Sequence, residues 1–282
     1  MPELPELEAL AEGLTAATEG REIAAVQAWQ PAVLKTADPP LEALEGRRLD
    51  GVWRRGKILG IDAGELVLLV HLMQGGRLGL APAPDRRPAR TTALALRLDG
   101  GEELRLREAA TEHRASAHLL RAGEVASHPQ LAALGPEPVG LPPAEWRERL
   151  AERPARLHSA LRDGRRVAGI GRAYTSDIMW AGRLAPFART DRMTDEEYER
   201  LAAAADLVLT QALERARGAI TTNLPDRERR VTAVHGHHGE PCLRCGRRLE
   251  RVSFEGYDLV YCPDCQTGGR LYADRRTSRF LR

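Results

Sequence analysis

A chain of 282 residues has room for one large core or roughly two to three smaller ones. Its formal charge of +2 is close to neutral, and no run of about 18 apolar residues occurs, so composition points to neither a membrane span nor bulk attraction to nucleic acid. No signal-like opening is present, which leads to the expectation of a cytoplasmic protein that is neither secreted nor membrane-bound.

In chain order, residues 5–19 read as a helix, because Leu7, Leu10 and Leu14 share one face and Gly20 follows as a cap. Strand-like runs follow at 22–29, 48–61 and 65–73. The alternating stretch Ala93–Leu98, the turn Asp99-Gly100-Gly101 and the run Leu104–Leu106 read as a β-hairpin. Pro82 to Pro88 reads as a loop. Leu134 to Pro143, with four prolines and two glycines, reads as a linker. Beyond it the pattern is helical at 144–153 and 155–162. A longer helix over 195–217 is announced by the capping pair Thr194 and Glu197 and the stripe Leu201, Ala205, Val208, Ala212. Residues 218–239 are polar and partly loop. The fold class is therefore α+β and multidomain: antiparallel β first, then helices, then a small C-terminal module.

That module is defined by Cys242-Leu243-Arg244-Cys245 and Cys262-Pro263-Asp264-Cys265. Two CxxC pairs sixteen residues apart suit one tetrahedral Zn²⁺ in a closed, structural site, not a disulfide framework. Nine arginines against five acids between Pro241 and Arg282 offer phosphate contacts, or a solvated basic tail.

The opening Met1-Pro2-Glu3-Leu4-Pro5-Glu6 carries a second chemistry. Once Met1 is removed, Pro2 is an N-terminal secondary amine with a pKa of about 7.7–8.0, unprotonated often enough to attack an aldehyde carbon and form an iminium. Glu3 adjoins it and Glu6 lies one helical turn on. A proline-and-acid helix start is the alternative reading. Elsewhere, Val167-Ala168-Gly169-Ile170-Gly171-Arg172 before a helical stretch reads either as an anion-binding helix start or as a tight turn. Arg54-Arg55-Gly56-Lys57 is a basic cluster on a strand or its turn, and reads as a phosphate contact or as edge charge. Lys57 stands out because Lys35 and Lys57 are the two lysines among 42 basic residues. His71 reads as a core histidine or a site residue.

The N-terminal hexapeptide, the Arg-Arg-Gly-Lys cluster at 54–57, the Leu-Gly-Pro-Glu-Pro segment at 134–138, Val-Ala-Gly-Ile-Gly at 167–171 and the CxxC pairs occur together and in order from end to end. In this they closely resemble the formamidopyrimidine-DNA glycosylase/endonuclease VIII family. The resemblance implies an N-terminal β-sandwich catalytic domain with flanking helix over 1–133, a linker over 134–143, a helix–two-turns–helix DNA-binding domain over 144–235 and a zinc β-hairpin over 236–282. It implies a monomer acting on damaged or abasic DNA in the nucleoid-containing cytoplasm, with DNA between the domains. The catalytic residues it implies are Pro2 as nucleophile at C1′, Glu3 as proton carrier, Glu6 as support and Lys57 on a phosphate. Its DNA contacts fall at Lys57, His71, Gly169, Gly171, Arg172 and Tyr257, and its metal ligands at Cys242, Cys245, Cys262 and Cys265. The reaction implied is base excision followed by strand cleavage through β- and δ-elimination. The alternative is a non-catalytic binder of damaged or structured DNA on the same fold.

Four departures qualify the carry-over. Arg172 stands where the family has Asn, and Tyr257 where it usually has Arg; a tyrosine cannot neutralise a phosphate. His71-Leu72-Met73-Gln74-Gly75-Gly76 puts methionine one place out of step. Glu108 to His113 replaces the segment that carries an aromatic wedge. Loss of that wedge leads to the expectation of weaker action on duplex 8-oxoguanine than on abasic or single-stranded sites.

Overall fold

The computed structural model describes residues 1–83, 90–108, 114–226, 230–254 and 257–272, and of 254 and 257 the backbone alone. The chain forms two compact units. The first comprises Met1–Ala133 and Leu213–Arg229, the second Leu134–Ala212 and Arg230–Arg282.

The first unit opens with α1 (Leu4–Thr18), whose predicted stripe Leu7, Leu10 and Leu14 is wholly buried. Each such leucine contributes about 1.5–3 kcal/mol of burial. Two antiparallel four-stranded sheets follow. One has the order β1 (Ile23–Ala28), β6 (Thr92–Leu98), β7 (Glu102–Glu108), β5 (Gly76–Pro82); the other β2 (Gly51–Arg55), β3 (Ile58–Ala63), β4 (Leu66–His71), β8 (Ser116–Arg121). Alternate residues of both sheets (Leu59, Ile61, Leu68 and Val70 against Leu94, Leu96, Leu104 and Leu106) share one core with α1, as period-2 strands require. A short helix, α2 (Pro129–Ala132), ends the continuous part of this unit.

The single strand expected over 48–61 is two strands. β2 and β3 pair antiparallel from Gly51↔Asp62 to Arg55↔Ile58, and Gly56-Lys57 is the tight turn between them. Gly56 has φ +59, a left-handed conformation that glycine adopts without a Cβ penalty. Apolar residues on both sides of the turn hid it from periodicity. The hairpin expected at 93–106 is present as β6–β7. Of the loop expected at 82–88, residues 84–88 lie outside the described residues.

In the second unit, residues 134–143 are hydrogen-bonded in place. Gly135 N donates to Gly164 O, Ala168 N to Pro136 O, and Gly140 N to Asp206 Oδ1. The helices α3 (Pro143–Ala151), α4 (Leu157–Ala160), α5 (Arg172–Ala181) and α6 (Asp195–Ala219) follow, the last of them counted with the first unit from Leu213 on. Thr194 and Glu197 cap α6 reciprocally, Glu197 N to Thr194 Oγ1 at 3.2 Å and Thr194 N to Glu197 Oε2 at 3.0 Å. Trp146, Leu157, Ile178, Tyr198 and Leu209 form the helical core. The C-terminal module is the hairpin β9 (Glu250–Phe254) and β10 (Tyr257–Tyr261), then α7 (Pro263–Thr267).

Candidate functional sites

The chain start is set by helix capping. Glu3 is the N-cap of α1, and Glu6, three residues on, accepts the Glu3 N–H at 2.8 Å. Pro2 is buried, and Glu3 and Glu6 are only 3% and 5% exposed. The first turn after Pro2 therefore buries two carboxyl groups, while Met1 stays at the surface.

Lys57 stands at the β2–β3 turn. That turn is braced by Arg54, which donates to Gly56 O at 3.1 Å and forms a 2.6 Å ion pair with Glu8 of α1 while only 8% exposed. The lysine is thus carried on a hairpin tied to the helix that follows Pro2. His71 ends β4, in register with Ile58 on one side and Ser116 on the other. Burial, then the charge of Lys57, hold its pKa below the usual histidine value, so it is neutral at pH 7. Past His71 the chain turns through Met73, which has φ +51, a conformation unusual for a side chain of this size, and Gln74 is exposed at the tip. Arg77, buried, donates to Gln74 O and Gly76 O on one side and to Pro225 O and Asp226 O on the other. Glu108 is buried and accepts the Ala115 N–H at 2.7 Å; residues 109–113 lie outside the described residues.

Gly169, Gly171 and Arg172 form the entry to α5 in the second unit. Gly169 has φ +84, which turns the chain so that Gly171 becomes the N-cap and Arg172 the exposed first residue of the helix. Sequence reading missed what lies over this helix. Asp177, buried, accepts three backbone N–H groups, from Ala233 at 2.7 Å, Val234 at 3.1 Å and His235 at 3.2 Å. Desolvation raises its pKa against the lowering effect of those donors. The segment so held carries Arg230, whose guanidinium lies 5.6 Å from the centre of the Tyr174 ring, and His235. His235 is shifted down in pKa by burial and then by Arg230 and Arg172. The available signal was an acid on a buried stripe, since Asp177 lies three residues after Tyr174 on the same helical face. Tyr257 is the first residue of β10, and its side chain lies outside the described residues.

The four thiols of Cys242, Cys245, Cys262 and Cys265 lie within 4.8 Å of one another. Two of the separations are 3.5 Å (Cys245–Cys262) and 4.0 Å (Cys242–Cys265). Zn–S bonds of about 2.3 Å in a tetrahedron put sulfurs about 3.8 Å apart, so the set fits one zinc ion. The chain supplies the outer donors as well. Against the desolvation that opposes it, N–H donors from Arg244 and from the Trp180 indole bring Cys242 down to about 6, favouring its thiolate. Four protein ligands close the shell, so this zinc is structural: it ties β9–β10 to the preceding knuckle and leaves no open position for substrate.

The same three regions are found in known proteins. Residues 1–113 match the family model for the formamidopyrimidine-DNA glycosylase N-terminal domain, residues 134–224 its H2TH domain, and residues 239–268 the zinc finger found in FPG and IleRS. The formamidopyrimidine-DNA glycosylase of Geobacter sulfurreducens is 33% identical over 277 residues, covering 94% of this chain and 100% of that one. The Symbiobacterium thermophilum enzyme of the same name is 34% identical over 276 residues, covering 94% and 89%. Among solved structures, a Lactococcus lactis FPG mutant in complex with a Fapy-dG containing DNA superposes with a TM-score of 0.85 at 25% identity, over 94% of this chain and 100% of that one. Matched in all three of its parts and over nearly its whole length, the chain belongs to the formamidopyrimidine-DNA glycosylase family.

Proposed function

We propose that the chain is a base-excision-repair DNA glycosylase with abasic-site lyase activity, and that Pro2, freed of Met1, is its nucleophile. The observation that carries this reading is the buried turn in which Glu3 and Glu6 follow Pro2 at the start of α1. Two buried carboxyl groups, fixed by helix capping within the first turn after Pro2, are the groups proposed to carry protons there. In the proposed course, the Pro2 nitrogen bonds to C1′ of the damaged nucleotide as the bond from C1′ to the base breaks. The base leaves with a proton, and Glu3 manages the transfer that opens the sugar ring. The resulting iminium draws electrons from C2′. Loss of a C2′ proton to a nearby carboxylate then expels the 3′ phosphate (β-elimination), and a second elimination expels the 5′ phosphate. Hydrolysis of the iminium returns the Pro2 amine.

Glu6 positions the turn through its bond to the Glu3 amide. Lys57, on its braced hairpin, and His71 beside it contact the phosphates around the lesion. In the second unit Gly169, Gly171 and Arg172 present a helix N-terminus and a fixed positive charge to the backbone of the same DNA, and Tyr257 adds a neutral contact. The protein acts as a monomer, in the cytoplasm on nucleoid DNA.

Borohydride trapping on abasic DNA tests this. The native chain gives a covalent adduct, and the adduct is lost in Pro2→Gly and in a chain extended ahead of Pro2. Gel-shift binding without any adduct would instead support the second reading, a non-catalytic binder of damaged DNA. That reading is favoured by the departures at 71–76, 108–113, 172 and 257. A lesion panel sharpens the first one: incision of duplex 8-oxoguanine is slower than that of matched abasic DNA.

A further inference from the structure

Helix α5 is joined to the zinc site at its C-terminal end by two side chains. The indole Nε1–H of Trp180 donates to Cys242 Sγ at 3.3 Å. The Arg244 guanidinium lies 4.2 Å from the centre of the Trp180 ring, and its Nη1 and Nη2 donate to Trp180 O at 3.0 Å and Ala181 O at 3.4 Å. Arg244 stands between the two cysteines of the first pair, and its own backbone N–H points at Cys242 Sγ at 3.5 Å. One residue of the zinc knuckle therefore touches the sulfur with its backbone and the last carbonyls of α5 with its side chain. A cation there meets the helix dipole and satisfies orphan acceptors.

We propose that Trp180 and Arg244 form an outer clamp on the Cys242 thiolate, so that zinc loading and the ordering of helix α5 are one event. With metal bound, Cys242 is held as a thiolate, and a hydrogen bond to an ionised acceptor is roughly twice as strong as a neutral one. Its partner indole is half-buried and must find an acceptor. Cation–π stacking then fixes the ring from its other side. With metal removed, the knuckle that carries Arg244 is no longer tied to the second cysteine pair, and the Trp180–Cys242 contact is no longer held in place. The helix end loses its cap at the same moment. One turn back, Asp177 holds Val234, and Val234 packs with Cys242 and Cys262 in the small zinc-side core, so a second path runs to the same helix. Trp180 and Arg244 are positioning residues, and the clamp does not depend on the chemistry proposed for Pro2.

Hydrogen exchange on the full native chain, zinc-loaded against zinc-stripped, tests the coupling without DNA. Amides of Thr175 to Ala181 are expected to lose protection at least tenfold on stripping, while those of Arg147 to Leu150 in α3 keep theirs. Equal protection of α5 in the two states, or equal loss in α3, overturns the proposal. In Trp180→Phe the ring remains and the N–H is gone. The expected results are zinc release to a chelator about tenfold faster and a shifted thiolate-to-metal band in the cobalt-substituted protein. A native release rate with a native band overturns the clamp. Should that variant fail to fold, Arg244→Gln, which keeps the backbone N–H to sulfur, is expected to speed release by a smaller factor, and no change there overturns the role given to Arg244.

Discussion

At the amino end, Glu3 and Glu6 are kept in a buried turn by a capping box in which the Glu6 carboxylate accepts the Glu3 N–H; at the carboxyl end, four thiols share a volume a few ångströms across because a divalent cation takes up their charge. The first arrangement is local, specified within six residues and stabilised by the helix it begins. The second joins residues more than twenty apart and has little apolar core of its own beyond Val234, Leu249 and Val260. Density of functional groups is therefore no guide to how a site is held. Capping sites should fail gently and alone, whereas the metal site should fail together with the module around it.

The largest expected effect lies on the metal side. Cys262→Ser, at a fully buried ligand, leaves three thiols and a hydroxyl. Structural zinc contributes on the order of 10 kcal/mol to the folding of small modules, so bound zinc should fall from one per chain to none. The C-terminal module should then unfold while the first unit keeps its own transition in a thermal scan. A single unchanged transition at full zinc occupancy would erase the contrast between the two ends.

On the capping side the change is smaller. Glu6→Ala removes the acceptor of the buried Glu3 N–H and should cost about 1–2 kcal/mol in urea unfolding. Glu6→Gln keeps an acceptor oxygen and should cost well under that. Chelator should leave both differences unchanged, since the metal-ligand cluster found among the described residues, Cys242, Cys245, Cys262 and Cys265, lies at the other end of the chain.

The same contrast explains what could be seen in the residues beforehand. The zinc ligands were legible because metal spacing is written in sequence distance, and α1 because its leucines and caps are local. The β2–β3 turn was not, because Val52 and Ile58 to Ile61 continue the apolar pattern through Gly56-Lys57. Asp177, Trp180 and Arg244 were not, because each takes its meaning from a segment that returns some sixty residues away. The stretch 134–143 looked like a spacer by composition. Its prolines fix an irregular path in which the N–H groups of Gly135 and Gly140 are satisfied by 164 and 206.

The smallest effect comes from a pair that neither end uses. His118 of β8 and His128, just ahead of α2, stack edge to face with ring centroids 4.6 Å apart. His118 Nε2 and His128 Nδ1 are both buried without a hydrogen-bond partner among the described residues. Burial lowers both pKa values, and His118 is lowered further by His128, Lys35 and His71. A histidine whose folded pKa is depressed is held neutral by the fold, so the unfolded chain binds more protons in acid. The stability it contributes is fully present above the ordinary value of about 6.5 and is lost as pH falls through the lower folded value. Protonating both rings would also set two cations edge to face, with the charge of Lys35 adding to the repulsion at His118. Hydrogen exchange of residues 122–132 should therefore quicken between about pH 6.5 and pH 5 while that of α1 holds steady. In His128→Gln that acid-dependent part should shrink, because one titrating ring and the repulsion it exerts on His118 are gone. A pH profile identical to the native one would show that the pair takes no part in the acid response, and that loss of protection there follows global unfolding instead.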